Sequence, residues 1–256
     1  MEDNEVNQLV ARATVSRLGY AVDVVSNGVE ALAATAGSRY AAVLMDCHMP
    51  VMDGFEATRQ IRRRDGRHPR LPIIAMTAGA LDGDRERCLA AGMDDYLAKP
   101  VDAAALEATL LHWVPEPEGR LVPGLVPQPL AVTGGAPVAA PALDQDRIAI
   151  LRELGPEDGR GLLPEAAAAF RRELPARIAA LQAAVDDGDG PALVQAAHAL
   201  KGSAANIGAA AVAGLCAELE GLGRGGTPGG GALLRRLATE LHRLDAELDA
   251  ALEVTP

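Results

Sequence analysis

Only two of the 24 lysines and arginines in this 256-residue chain are lysine, Lys99 and Lys201. A lysine ammonium is a compact point charge and a guanidinium a planar fork, so the two are not interchangeable where an anion must be met. Around Lys99 the sequence supplies more groups that handle anions and cations. The run AAVLMD ends in Asp46, PIIAMT ends in Thr77, DYLAKP presents Lys99 before Pro100, and the chain opens with Glu2 and Asp3. As neighbouring parallel strands, these runs would share one rim at their carboxyl ends, where sites gather in open sheets. A carboxylate, a hydroxyl, an ammonium and an acidic pair on one rim suit phosphoryl transfer to an aspartate. The acids would hold a hard divalent cation such as Mg2+. The cation and Lys99 would offset charge on the transferring oxygens, and the Thr77 hydroxyl would bond one of them.

Lys201 belongs to a different stretch, QAAHALKGSAANIGA, residues 195–209. At about 100° per residue, Leu193, Ala197, Leu200 and Ala204 form one apolar stripe, and His198 stands roughly 100° to 160° from each. The ring is therefore expected on the accessible side of a helix, with Lys201 and Gly202 on the same surface. Glycine inside a helix costs up to about 1 kcal/mol against alanine; here it would leave room for a partner beside the ring. A solvated imidazole titrates near pH 6.5, so part of it is neutral and nucleophilic at neutral pH. Lys201 is placed to pair with a phosphoryl group on that ring. Taken singly, each residue has a plainer reading: a turn-capping Asp, a solvated Lys, a surface His. The sets are less easily explained that way.

The elements that would position these groups fall into two halves. Residues 1–113 alternate short apolar runs (21–25, 41–46, 72–77, 95–99) with helical segments near 5–18, 28–37, 54–64, 84–91 and 102–112, the pattern of an α/β domain with a parallel sheet. Residues 143–256 show only Ala/Leu-rich helical periodicity, near 144–155, 160–186, 191–204, 209–222 and 232–252, which predicts an all-α bundle. Between them, residues 114–142 carry seven prolines and several glycines and read as an extended linker. The run GLGRGGTPGGG near 221–231 follows a helix rather than a strand, so it reads as an interhelix turn and not a nucleotide loop.

Bulk composition narrows the function classes. A net charge of −11 argues against a general nucleic-acid surface, and no DNA binding is expected. No apolar run reaches the roughly 18 to 20 residues of a membrane span. Three scattered cysteines form no metal or disulfide pattern and fit a reducing compartment, so a cytoplasmic location is expected.

The stretches EDNEVNQ, MDCHMPVMDG, MTA and KP together resemble the receiver domain of two-component signalling, over residues 1–113. The resemblance implies a flavodoxin-like fold with Asp46 as phosphoacceptor and Lys99 as its phosphate-pairing lysine. It implies a Mg2+ site of Asp3, Glu2, Asp46 and the backbone carbonyl of His48. Thr77 and Tyr96 match its switch pair, and Pro100 would follow a cis peptide. One feature departs from the family: a receiver has an apolar first strand before the acidic pair, and here only Met1 precedes Glu2. That strand would lie between the runs 21–25 and 41–46, so both are expected to lose a central partner. A receiver with its first strand missing, truncated from a longer chain, is the expectation, with Glu2 and Asp3 on a frayed end.

The string AHALKGSAANIGA likewise resembles the phosphohistidine helix of histidine-phosphotransfer (HPt) domains, which are four-helix bundles, over residues 143–256. By that resemblance His198 is the phosphorylated residue, Lys201 steadies the phosphate, and Gln195 and Gly202 border the docking face. Together the two resemblances imply the C-terminal part of a hybrid sensor histidine kinase. Its partners would be an upstream histidine kinase core and a downstream response regulator receiver. No ATP-binding kinase core is visible in the sequence, so autophosphorylation is not expected. An interaction module and a phosphate sink are the alternative functions.

Overall fold

A computed structural model of the chain describes residues 1–64, 70–77, 82–114, 142–155, 161–226 and 229–253. Helices α1 (Glu5–Arg17) and α2 (Gly28–Gly37) precede strand β1 (Val43–Asp46). Then come α3 (Gly54–Arg64), β2 (Ile73–Thr77), α4 (Asp82–Ala91), β3 (Asp95–Ala98) and α5 (Ala103–Trp113). Five helices follow: α6 (Gln145–Glu153), α7 (Leu163–Asp186), α8 (Gly190–Asn206), α9 (Ala210–Gly225) and α10 (Gly231–Glu253). Nearly all of the linker expected at 114–142, and part of the turn expected near 221–231, lie outside the described residues.

Packing divides the described residues into two compact units. One holds Met1 and the elements from α2 to α5; the other holds residues 2–26, with α1, and the helices from α6 onward. Residues 2–26 thus join the α/β half by sequence and the helical unit by packing.

In the first unit the three strands pair in parallel in the order β1-β2-β3, with Val43 opposite Ile73 and Thr77 opposite Ala98. β2 is the central strand and is buried along its whole length, as its Ile-Ile-Ala-Met sequence requires. Met45, Phe55, Ile61, Ile73, Ala75 and Met93 fill one core cluster. Side-chain caps start several helices: Asn27 accepts from Val29 and Glu30 at α2, and Asp102 accepts from Ala105 at α5.

The run AVDVV, expected as a strand over 21–25, is not one. Its apolar residues suit a strand, but a strand is made by its ladder, and no neighbouring strand pairs with it among the described residues. One backbone bond remains in its place, from Glu2 N–H to the Val25 carbonyl at 3.1 Å. Met1 makes the corresponding contacts to β1: its amino group donates to the Leu44 carbonyl at 2.7 Å, and its carbonyl accepts from Asp46 N–H at 3.1 Å. The residue before the acidic pair is therefore held beside the end of β1.

In the helical unit α7 to α10 form a closed ring of contacts, α7 with α8, α8 with α9, α9 with α10 and α10 with α7. This is the four-helix bundle expected from the sequence, with α6 as an additional helix against α7. Leu181, Leu200, Leu219 and Leu244 lie in its core. The crossing of α8 and α9 is glycine-dependent: a Cβ on Gly190 would meet the Gly223 carbonyl at 2.6 Å, and one on Gly223 would meet Gly190 O at 2.7 Å. The glycines that resembled a nucleotide loop thus serve in part as a helix contact, because α9 runs through Gly225. Helix α1 packs on α7 and α8 and contributes Val6 and Val10 to this core.

Candidate functional site

The first candidate site sits at the carboxyl ends of the strands. The register pairs Asp46 with Met76, and Thr77 with Ala98, so Asp46, Thr77 and Lys99 fall at successive strand ends. Lys99 N–H donates to the Thr77 carbonyl at 2.6 Å, and the Lys99–Pro100 peptide is cis. The Lys99 ammonium donates to Asp46 Oδ2 at 2.7 Å, with the two side chains only 8% and 4% exposed. The other Asp46 oxygen accepts from His48 N–H at 3.2 Å, so the backbone after β1 curls back over the carboxylate. Gly54, the first residue of α3, closes the floor: a Cβ there would lie 2.1 Å from the Asp46 carbonyl.

Of the acidic pair, Glu2 is buried and Asp3 half-buried in the helical unit, and Asp46 is buried at the end of β1 in the other. Glu2 and Asp46 are each 3% exposed. Hard oxygen donors with surplus negative charge and limited water suit Mg2+, so the residues present fit the ion that the sequence implied.

The remaining residues predicted at this rim are placed less tightly. Thr77 is buried at the end of β2. Tyr96 lies outward on β3, 37% exposed, with the Arg85 guanidinium 5.8 Å from its ring centre. The exposed His48 ring stands edge-on to Phe55, at 6.1 Å between centroids. Cys47, next to Asp46, lies 3.6 Å from Cys88 with both buried; burial first, then Cys88, pushes the Cys47 thiol far up, so it is a protonated packing group.

The second candidate site lies on α8. Asp189 caps the helix by accepting from Ala192 N–H, and Leu193, Ala197, Leu200 and Ala204 are all buried, so the expected stripe is the core face. His198 is off that stripe but is not simply solvated: its side chain is 19% exposed, and its Nδ1 lies 3.1 Å from Glu220 Oε1. Glu220 is itself 3% exposed. Its other oxygen accepts from Lys201 at 3.5 Å and from Arg224 at 3.0 Å. Burial alone would push the Glu220 carboxyl up, but the His198 hydrogen bond and the charges of Lys201, His198 and Arg224 hold it below the ordinary carboxylate value. The nearby Cys216 thiol is pushed up to about 12, by burial first and then by Glu220. Gln195 is exposed, and a Cβ on Gly202 would lie 3.0 Å from Asn7 Nδ2 of α1.

Glu220 was not anticipated from sequence, although a signal was present. The buried face of α9 runs Val212, Leu215, Cys216, Leu219, Glu220, so a carboxylate occupies the i+8 position of an apolar stripe. A buried acid needs cationic or donor partners, and His198 and Lys201 were candidates on the adjoining helix.

The comparisons with known proteins divide the chain as the motifs do. Residues 1–111 match the response regulator receiver domain and residues 165–247 the Hpt domain. The aerobic respiration control sensor protein ArcB of Escherichia coli K12 is 31% identical over 209 residues, 81% of this chain and 25% of that protein. A probable histidine kinase 1 of Oryza sativa is 36% identical over 147 residues, 45% of this chain and 15% of that protein. The chain thus spans a quarter or less of the length of these relatives. Among solved structures, the receiver domain of the sensor histidine kinase PA1611 from Pseudomonas aeruginosa, with a magnesium ion in its active-site cleft, is 52% identical, with a TM-score of 0.41 over 44% of this chain and 92% of that chain. No helix of the described residues is long and apolar enough to cross a membrane. This chain belongs with the two-component signalling proteins and carries a response regulator receiver domain followed by an Hpt domain.

Proposed function

We propose that the chain is a phosphorelay intermediate: Asp46 accepts a phosphoryl group from an upstream kinase histidine, and His198 passes one on to an aspartate of a downstream response regulator. Residues 1–113 act as the receiver, 114–142 as a linker and 143–256 as the phosphotransfer domain. The observation that carries this reading is that the two lysines of the chain stand at the two proposed acceptors, Lys99 on Asp46 itself and Lys201 on Glu220, which holds His198.

At the receiver, an Asp46 oxygen attacks phosphorus in line, the P–N bond of the donor phosphohistidine breaks, and the electron pair leaves with the donor imidazole. Glu2, Asp3, Asp46 and the His48 carbonyl would hold Mg2+, which supplies charge compensation on the phosphoryl oxygens. Lys99 turns from Asp46 to those same oxygens, Thr77 donates its hydroxyl to one, and Tyr96 reports the change by moving its ring. In the bundle, the Glu220 carboxylate accepts a hydrogen bond from His198 Nδ1–H, which fixes the tautomer with the lone pair on Nε2. Nε2 attacks the phosphorus of an aspartyl phosphate, the P–O bond breaks, and the carboxylate leaves. Lys201 then offsets phosphate charge, and Gln195 and Gly202 frame the approach of the partner.

Radiolabelled acetyl phosphate with Mg2+ tests the order of transfer in the full chain. Acyl phosphate is labile to alkali, whereas phosphohistidine is alkali-stable and acid-labile. The natural chain is expected to carry both kinds of label, His198→Gln only the alkali-labile kind, and Asp46→Asn neither. Alkali-stable label in either variant would overturn the assignment. Absence of all Mg2+-dependent label in the natural chain would favour an interaction module.

A further inference from the structure

In the helical unit a single line of hydrogen bonds leads from the acidic pair to the end of the phosphohistidine helix. Arg147 of α6 donates from Nη2 to Asn206 Oδ1 at 2.6 Å and from Nε to the Asn206 carbonyl at 2.9 Å. Asn206 Nδ2 donates to Asn7 Oδ1 at 2.7 Å. Asn7 Nδ2 donates to Glu2 Oε1 at 2.9 Å. The two ends fix the direction of the chain. A guanidinium can only donate and a carboxylate can only accept, so each asparagine amide has one orientation that satisfies both neighbours. Glu2 is 3% exposed, and Asn7 and Asn206 are each 6% exposed. In that surrounding an unmade bond would leave a desolvated polar group without compensation, and the members of such a chain polarise one another.

We infer that Asn7 and Asn206 are positioning residues for the acidic pair, and that they couple cation binding at Glu2 to the attachment of α1 on the bundle. The inference rests on the metal reading given above. The Asn7 amide holds Oε1, and Asn4 N–H approaches the same oxygen at 3.4 Å, so the Glu2 carboxylate is oriented from the protein side. Outer partners of this kind typically change metal affinity by about 10- to 100-fold when they are removed; a site that retains its other carboxylates should lie at or below the low end. Asn206 itself offers the ion nothing. Its influence passes through Asn7, which reaches it only while α1 lies on α8. The same seat is secured elsewhere by Glu173, which accepts from Glu5 N–H at 3.0 Å and from Asn4 Nδ2 at 3.1 Å. Coupling of this kind is reciprocal. If α1 on the bundle favours the cation, the cation favours α1 on the bundle by the same factor.

Mn2+ binding to the full chain, followed by electron paramagnetic resonance of the free ion, measures one direction. Asn206→Leu and Asn7→Leu are each expected to weaken Mn2+ binding about 3- to 10-fold, and the double variant no more than the weaker-binding single one. Melting of each variant shows whether it folds, and two variants on opposite sides of one bond guard against the failure of either. Hydrogen exchange of the α1 amides measures the other direction. Saturating Mg2+ is expected to slow it in the natural chain and to leave it unchanged in Asn206→Leu. Equal Mn2+ affinity in the natural chain and in a folded Asn206→Leu overturns the coupling and leaves the metal site standing. No Mn2+ binding by the natural chain overturns both.

Discussion

The two proposed acceptor sites use the same cation differently. Lys99 touches Asp46 directly, at 2.7 Å with both side chains almost fully buried. Lys201 touches Glu220, at 3.5 Å and with its side chain 25% exposed, and Glu220 in turn holds His198. The difference follows from the acceptors. A carboxylate brings its own negative charge and must be neutralised where it stands. An imidazole has no negative charge of its own, and here a carboxylate, Glu220, stands against the ring and Lys201 against that carboxylate. The surroundings differ as well: Asp46 is enclosed by backbone from β1 and α3, whereas His198 is enclosed by side chains of α8 and α9.

Glycine substitutions test that contrast most severely. At Gly54 the obstacle is the Asp46 carbonyl, 2.1 Å from an added Cβ, and a strand end cannot retreat. Gly54→Ala is expected to destabilise the receiver unit by about 3 kcal/mol or more. At Gly202 the obstacle is the Asn7 amide, 3.0 Å away at a side-chain end. There the helix gain of about 1 kcal/mol for alanine over glycine opposes the displacement, and Gly202→Ala should change urea stability by less than about 1 kcal/mol. Equal losses in the two variants would remove the distinction between a backbone-enclosed and a side-chain-enclosed site.

The lysines themselves give the next largest effect. Lys99→Ala is expected to slow labelling of Asp46 by about 100-fold, the scale on which a direct contact to developing charge acts. Lys201→Ala should slow transfer through His198 by roughly 10-fold or less, because Arg224 still faces Glu220 and the lysine is partly solvated. Single-turnover rates measure both. A larger loss at Lys201 than at Lys99 would reverse the comparison.

Glu220 separates the sites by pH. Its folded value lies below the ordinary carboxylate value of 4.5. A lowered folded value means that the native state binds fewer protons than the unfolded chain, so the associated stability is complete above about pH 4.5 and is lost as pH falls through the folded value. Glu220→Gln removes that titration. The bundle of the natural chain is therefore expected to lose more stability between pH 5 and pH 3 than the variant does. Melts of the helical unit at the two pH values measure it, and identical losses would show that the carboxylate is not held charged by its neighbours.

Legibility in the sequence followed the range of the interactions. The helices could be read closely because their 3.6-residue apolar stripes are local signals. The strands that became β1 to β3 could be read because their apolar runs end in polar residues on one rim. The run at 21–25 was misread because propensity says nothing of whether a partner strand is present. His198, Lys201, Asp46 and Lys99 could be found by residue type and spacing. Glu220, Asn7 and Asn206 could not: each is an ordinary polar residue until the fold brings a distant partner to it, 22 residues away for Glu220 and 199 for the asparagine pair.

The smallest effect lies in the loop after Asp46. In the helical unit every described residue with positive φ is a glycine: Gly19, Gly155, Gly161, Gly188, Gly208, Gly226 and Gly229. The receiver unit instead places Val51 at φ 68°, a β-branched residue in the left-handed region, 86% exposed. Its side chain buries almost nothing to offset a strain of about 1 to 3 kcal/mol. Asparagine tolerates that conformation, so Val51→Asn should raise the urea midpoint of the receiver unit by the equivalent of about 1 kcal/mol and leave the bundle transition where it is. A gain shared by both transitions, or a loss in the receiver, would show that this loop is not where the acceptor site stores its strain. If the gain in stability is accompanied by slower labelling of Asp46, the bent loop that brings His48 N–H to the carboxylate has a part in holding the acceptor ready, and the side-chain-built site at His198 has no counterpart to it.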